Sequence, residues 1–364
     1  MLGFDFDGGV CDEDIFGYNY GAFVAELDGD GETGLTLGRT SGERKISRGG
    51  ESVGLDELFA IYEGRLESVF PDRADMPRED IPAFSWEPKA RPAPPAVVMR
   101  PRVLIPVFPG TNCEYDSARA FEKAGAEPEI IVVRNLGSAD IAESVRYFAS
   151  RTNEAQMIFI PGGFSGGDEP DGSAKFITAF FRNAAVKDAV NELVNTRRGL
   201  MAGVCNGFQA LIKLGLVPYG RIIDADENSP TLTYNVIGRH QSMLVRTRVA
   251  SNKSPWLANT RPGEIYTVPV SHGEGRFYAS RPLAESLAEN GQIATQYVDM
   301  DGRPTMDSRY NPNGSLLAVE GVTSPDGRIF GKMGHSERTG EGLYKNVPGE
   351  YDMGMFRAAA EYFR

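Results

Sequence analysis

The 364-residue chain predicts an α/β protein built on a doubly wound, mostly parallel sheet and preceded by a small α+β segment. Three observations carry that expectation. Beyond residue 102, short runs that are apolar throughout alternate with stretches of helical period, the pattern of parallel strands covered on both faces by helices. Between one such run and the helical stretch after it, residues 203–208 read Gly-Val-Cys-Asn-Gly-Phe, a tight turn holding a thiol. Before residue 102, the segment 86–101 carries Pro88, Pro92, Pro94, Pro95 and Pro101 without hydrophobic period, so it reads as a semi-rigid linker.

The elements follow in chain order. Residues 1–85 form the first segment, in which residues 20–27 alternate like a strand. Leu55, Leu58, Phe59, Tyr62, Leu66 and Val69 fall on one face of a helix. The run Asp-Gly-Asp-Gly-Glu at 28–32 resembles the start of a calcium loop. Its twelfth position is Arg39, where a bidentate glutamate is needed, so it reads as a turn. After the linker, residues 102–364 give strands over 103–108, 130–133, 157–160 and 199–204, helices over 116–124, 139–149 and 206–214, and a last strand over 328–333. Residues 231–248 look like inserted β structure. Such sheets hold ligands at the carboxyl ends of their strands, which gathers Pro109, Gly110 and Thr111, the loop from Pro161, and Cys205 at one edge.

Hydrophobic residues at 41% and charged residues at 24% suit an ordinary soluble protein. No apolar run reaches membrane-spanning length and the first residues lack the basic segment of a signal peptide, so a cytoplasmic location is expected. The formal net charge of −12, with scattered basic residues, disfavours nucleic acid or an anionic membrane as partner and suits small polar substrates. Cys11, Cys113 and Cys205 have neither paired spacing nor histidines at zinc-binding spacing. Reduced thiols and no metal site are expected.

Cys205 reads as a nucleophile. At a helix N-terminus the unpaired backbone N–H groups favour the thiolate. Gly203 and Gly207 relieve crowding at the turn, the cysteine counterpart of the Gly-x-Ser-x-Gly elbow, in which the N–H after the nucleophile serves the oxyanion. Here that donor is Asn206. The loop 161–167, Pro-Gly-Gly-Phe-Ser-Gly-Gly, follows a strand, so the N–H of Gly162 or Gly163 can receive the same charge. Its glycines match neither the dinucleotide nor the phosphate-loop pattern. Acid–base work needs an imidazole held by a carboxylate, and residues two apart on extended chain project to one side. His335 with Glu337 and His272 with Glu274 both have that spacing, and the chemistry alone leaves the pairs even. His240 has no such neighbour and reads as structural. Cys113 is the rival thiol, ranked far below Cys205 because Glu114 and Asp116 disfavour its thiolate and the elbow glycines are missing.

From about residue 102 to 364 the chain closely resembles the glutaminase domain of phosphoribosylformylglycinamidine synthase, a class I glutamine amidotransferase of purine biosynthesis with a flavodoxin-like fold. The resemblance rests on Val-Phe-Pro-Gly-Thr-Asn-Cys-Glu at 107–114, Pro-Gly-Gly-Phe-Ser-Gly-Gly-Asp at 161–168, Gly-Val-Cys-Asn-Gly-Phe-Gln at 203–209, His-Gly-Glu-Gly-Arg-Phe at 272–277 and Gly-His-Ser-Glu-Arg at 334–338. The first hundred residues resemble the end of the synthetase region in the long, single-chain form of that enzyme.

The resemblance implies Cys205 as nucleophile, His335 as acid and base, and Glu337 as the orienting carboxylate. Gly162, Gly163, Phe164, Asn206, Gln209, His272 and Glu274 then become oxyanion or glutamine-binding candidates. The implied chemistry is thiolate attack on the glutamine carboxamide, loss of ammonia, hydrolysis of a glutamyl thioester, and passage of ammonia to a synthetase site. There ATP activates the formylglycinamide ribonucleotide amide oxygen, which ammonia replaces. No cofactor is expected in this chain; ATP and magnesium belong to the synthetase part, whose domains this sequence does not contain. The implied partners are glutamine and a synthetase domain or subunit, and the chain alone is expected to perform at most the glutaminase half-reaction. Two other readings are a different cysteine-elbow hydrolase on a similar sheet and a non-catalytic subunit that binds a synthetase partner.

Overall fold

The computed structural model describes residues 2–29, 34–90, 93–94, 97–166 and 172–364. The chain divides into two compact units, Met1–Asp72 and Arg73–Arg364, a boundary earlier than the 85/86 expected from composition.

The first unit contains strands β1 (Gly3–Phe6), β2 (Gly38–Ser41), β3 (Lys45–Arg48) and β4 (Glu51–Gly54), with helices α1 (Asp12–Phe16) and α2 (Leu55–Gly64). Its sheet has the order β2-β1-β3-β4, with β1 antiparallel to β2 and parallel to β3. The strand expected at 20–27 does not form. Tyr20 and Phe23 are more than nine-tenths exposed, so the alternation has no buried face to lie on. Helix α2 forms but ends at Gly64, before Leu66 and Val69, and Leu55 is the one residue of it that is buried. The acidic turn is only partly visible, since residues 30–33 lie outside the described residues, as do Gly167 and Asp168 of the glycine loop.

The second unit is built on a nine-stranded sheet. In chain order it comprises β5 (Arg102–Val107), α3 (Glu114–Lys123), β6 (Glu127–Val132), α4 (Ser138–Thr152), β7 (Met157–Ile160), α5 (Lys175–Arg182), α6 (Ala184–Asn191), β8 (Leu200–Val204), α7 (Asn206–Leu214) and the short α8 (Leu216–Tyr219). There follow β9 (Thr231–Tyr234), β10 (Gln241–Val249), β11 (Ile265–His272), β12 (Glu274–Tyr278), α9 (Arg281–Glu289), β13 (Ile293–Val298), β14 (Val319–Thr323), β15 (Ile329–Lys332) and α10 (Met355–Glu361). The strand order is β11-β10-β13-β14-β15-β8-β7-β5-β6. Strands β6, β5, β7, β8 and β15 run parallel, and β14, β13, β10 and β11 extend the sheet antiparallel. Strands β9 and β12 pair separately as a two-stranded ribbon.

Continuous apolar sequence makes β7 and β8 wholly buried central strands, so the elements expected at 157–160, 199–204 and 206–214 stand where the sequence puts them. The inserted β structure is larger than residues 231–248, because β11, β13 and β14 continue the antiparallel extension that β10 belongs to. Two aromatic clusters fill the core. Phe121, Phe159, Trp256 and Phe356 pack together, as do Phe108, Phe148, Phe180 and Phe181. The proline-rich linker is anchored at both ends. Trp86 forms a β-bridge with Ser251 and its N–H donates to Ala250 O at 3.0 Å, while the Val98 N–H donates to Phe363 O at 2.7 Å. Residues 91, 92, 95 and 96 between them lie outside the described residues.

Candidate active site

Strand β8 ends at Val204 and helix α7 begins at Asn206, which leaves Cys205 alone at the turn with φ 52° and ψ −107°. A non-glycine residue in such a conformation carries strain on the order of 1–3 kcal/mol. The turn is held by the Cys205 N–H donating to Lys332 O at 2.9 Å and by the Gln209 N–H donating to Cys205 O at 3.0 Å. The elbow glycines serve close approach. A Cβ on Gly203 would sit 2.5 Å from the Gly207 carbonyl carbon, and one on Gly207 would overlap the Ile160 oxygen.

The glycine loop after β7 meets the loop after β5. Thr111 and Gly163 form an antiparallel bridge in which the Asn112 N–H donates to Gly162 O at 3.3 Å and the Phe164 N–H donates to Gly110 O at 2.8 Å. The Phe164 N–H is therefore engaged, whereas the bridge leaves the Gly163 N–H out. Gly163 has φ 140°, and a Cβ there would lie 2.6 Å from Gly110 O. Gly162 stands at the junction of three side chains: a Cβ on it would be 2.6 Å from His335 Cε1, 3.3 Å from Cys113 Sγ and 3.4 Å from Cys205 Cβ.

His335 and Glu337 follow β15 and are both buried. The His335 Nδ1 to Glu337 Oε1 distance is 2.6 Å, and the His335 N–H donates to Pro269 O at 2.9 Å. Burial alone pulls the imidazole pKa down. The Glu337 carboxylate, then the Cys205 thiolate and hydrogen bonds from both thiols, outweigh it and hold His335 well above the usual histidine value. Burial likewise raises the Glu337 carboxyl, but the His335 charge and hydrogen bond bring it below its ordinary range.

His272 and Glu274 share the two-residue spacing yet do not bond to each other. His272 Nδ1 lies 3.1 Å from Asn235 Oδ1, and its Nε2 is buried with no partner among the described residues. Burial, with the charges of His335 and His240 nearby, pushes its pKa down to about 3, so this imidazole is neutral. Glu274 Oε2 accepts from Ser173 Oγ at 2.8 Å and Ser173 N at 3.2 Å and lies 3.7 Å from Lys213 Nζ, while Oε1 is buried without a partner among the described residues.

Gln209 ties these parts together. The Ser165 N–H donates to Asn206 Oδ1 at 3.2 Å, Asn206 Nδ2 donates to Gln209 Oε1 at 2.8 Å, and Gln209 Nε2 donates to Glu274 O. Both ends of the Gln209 amide are thus engaged within the protein. Cys205, Phe164, Gln209, His272 and Glu274 border a pocket of about 370 Å³, a size suited to a small molecule. His240, which reads as structural in the sequence, also lines it, with its ring 6.0 Å from that of Phe164.

Cys113 is nearer the chemistry than its sequence suggests. Its Sγ lies 3.7 Å from His335 Nδ1 and accepts from Arg338 Nη2 at 3.1 Å. Cys113, His335 and Glu337 bring one possible ligand atom each within 4.8 Å of one another. The Arg338 guanidinium on the same sulfur puts a positive charge beside any cation there, and the imidazole nitrogen is already bonded to Glu337. Sequence spacing cannot reveal this convergence, nor the roles of Ser173, Lys213 and Asn235, since each contact joins residues far apart in the chain.

At the carboxyl edge of its parallel sheet the chain carries a strained thiol with a carboxylate-bound imidazole at hand, the parts that thiol-nucleophile chemistry needs. It belongs to the family described as CobB/CobQ-like glutamine amidotransferase domains, whose model matches residues 100–363. Among its relatives are phosphoribosylformylglycinamidine synthase subunits PurQ. That of Methanococcus maripaludis is 34% identical over 255 residues, covering 70% of this chain and 86% of the relative. That of Treponema denticola is 34% identical over 252 residues, covering 66% and 88%. The structure of PurLQS from Thermotoga maritima matches in fold, with a TM-score of 0.53, 24% identity, and coverage of 73% of this chain and all of that one.

Proposed function

We propose that this chain is the glutamine amidotransferase part of phosphoribosylformylglycinamidine synthase, hydrolysing glutamine to glutamate and supplying ammonia for purine biosynthesis. The observation that carries this reading is the convergence of Cys205 and His335 on Gly162, with Glu337 bonded behind the imidazole. The Cys205 thiolate attacks the carboxamide carbon, and the Gly163 and Asn206 N–H groups receive the oxyanion. His335 gives its proton to the departing ammonia, leaving a glutamyl thioester. The imidazole then takes a proton from water, which attacks the thioester and releases glutamate and the thiol. Glu337 keeps the imidazole oriented and charged when needed.

The PurQ relatives are named as synthase subunits, which supports a synthetase as partner for this chain. ATP and magnesium then act on that partner. Residues 1–99 lie outside the family match, and we read the first unit as synthetase-region sequence. Its sparse burial suits that reading: Phe16, Tyr18, Tyr20, Phe23 and Val24 are each at least 80% exposed. Among the described residues no helix is long and apolar enough to cross a membrane, and a cytoplasmic site of action fits purine synthesis.

The test is glutamate release from glutamine by the full chain and by Cys205→Ala, His335→Ala and His272→Ala variants. Loss of turnover in the first two supports the assignment. Activity that survives His335→Ala and disappears in His272→Ala overturns it, and turnover of other amides or peptides in place of glutamine indicates a different thiol hydrolase.

A further inference from the structure

We infer that the buried Lys332–Glu320 ion pair is a positioning device for His335, gripping the chain at Gly334 so that the imidazole stays against Cys205. The inference rests on the hydrolytic reading above for what the imidazole does, but not for where it is held. Lys332 is the last residue of β15 and Glu320 lies on the neighbouring β14; their side chains are 1% and 0% exposed, with Nζ 3.3 Å from Oε1.

The two charges take opposite ends of the same residue. Glu320 Oε1 accepts from the Gly334 N–H at 2.7 Å, and Lys332 Nζ donates to the Gly334 carbonyl at 3.1 Å and to Ser336 Oγ at 2.9 Å. Thr295 Oγ1 donates to the other oxygen of Glu320, so the carboxylate is itself fixed. The gripped carbonyl belongs to the peptide bond that leads into His335. The chain is pressed onto the pair: a Cβ on Gly334 would lie 3.0 Å from Glu320 Oε1 and 2.7 Å from Val268. An unexposed ammonium in the strand Ile-Phe-Gly-Lys is not needed for stability as such, because a well-packed apolar pair in its place is commonly neutral or stabilising. What the charges add is direction, since each fixes one backbone group of the turn that delivers the imidazole.

The decisive variant is Lys332→Met with Glu320→Gln, which removes both charges together in the full chain. Steady-state glutamine hydrolysis, thermal unfolding and NMR pH titration of the three histidine rings are measured. We expect unfolding at or above the parental temperature, KM within about twofold, and kcat lower by about tenfold to a hundredfold as the imidazole drifts from the thiol. The His335 ring is expected to titrate at a lower pH than in the parent. Unchanged kcat together with an unchanged His335 titration overturns the inference, as does a rise in KM with kcat preserved. Should the double variant fail to fold, Thr295→Val, which loosens Glu320 alone, is read by the same titration, and an unmoved His335 there overturns the inference. A parent chain without glutamine turnover defeats the hydrolytic reading, while the His335 titration still decides the positioning role.

Discussion

His335 and Glu337 meet through a 2.6 Å contact between Nδ1 and Oε1, with neither side chain open to solvent. Two residues apart on chain leaving β15, they have the spacing to reach each other, but their protonation is a tertiary property. Burial by itself favours a neutral imidazole, and the adjacent carboxylate reverses that preference.

Replacing Glu337 with glutamine removes the principal attraction that keeps His335 protonated. In the mechanism proposed above imidazolium is the form that donates to departing ammonia, so the alkaline limb of kcat/KM is expected to report its loss. With the folded pKa raised, that limb stands above the ordinary histidine range in the parent, and the Glu337→Gln limb moves to lower pH. Turnover at neutral pH falls by about 10²- to 10⁴-fold, as expected when an acid–base group loses its orienting partner. Rate–pH profiles of the two proteins check both statements, and an unmoved alkaline limb refutes the first.

Gly162→Ala tests the convergence on that residue. The added methyl would stand 2.6 Å from His335 Cε1 and 3.4 Å from Cys205 Cβ, so the imidazole must move. A displacement of about 1 Å costs on the order of a hundredfold in rate, and kcat is expected to fall by that much with little change in KM. Steady-state kinetics measures the split.

Cys113→Ser asks which thiol is the nucleophile. Cys113 contacts His335 Nδ1, the nitrogen already turned to Glu337, and Arg338 occupies its sulfur. It also stands at the N-terminal boundary of α3 with a negative φ of −115°, unlike Cys205 with its positive φ. The variant is expected to keep kcat within about tenfold of the parent, the loss of one hydrogen-bonded neighbour being worth about 1 kcal/mol. A diazo-ketone analogue of glutamine is expected to alkylate Cys205 in both proteins, as read by peptide mass spectrometry; alkylation of Cys113 in the parent reverses the assignment.

The sequence spells out the parallel core because apolar runs such as Met-Ile-Phe-Ile in β7 have one stable location, a strand buried on both faces. The elbow is equally legible, since glycines on both sides of a cysteine announce close backbone approach. Residues 20–27 mislead because alternation records only a potential face, and nothing described covers Tyr20 or Phe23. The antiparallel strands from β11 to β14 were beyond reach for another reason: their pairing partners lie up to dozens of residues away, and β10 and β13 are joined only in three dimensions. At the site, spacing alone could not separate His335–Glu337 from His272–Glu274. The difference is made by Asn235, Ser173 and Lys213, which claim His272 and Glu274 separately.

On the glutamine amidotransferase reading proposed above, those separate claims suit the second pair to a binding role with its own signature. Glu274 borders the same pocket as Cys205 and keeps one buried oxygen without a partner among the described residues, and in the proposed reaction its carboxylate is the group expected to meet the ammonium of glutamine. A charge-assisted hydrogen bond of this kind contributes about 1.5–3 kcal/mol, so Glu274→Gln is expected to raise KM by roughly tenfold to a hundredfold. Since the lost contact is made equally to substrate and transition state, kcat stays near the parental value. His272→Ala is expected to weaken binding in the same sense. With a pKa of about 3 its neutral ring contributes no limb near neutral pH, so the rate–pH profile of that variant keeps the parental alkaline limb. Steady-state kinetics across pH distinguishes the outcomes, and a displaced alkaline limb in His272→Ala would transfer the proton-carrying role from His335 to His272.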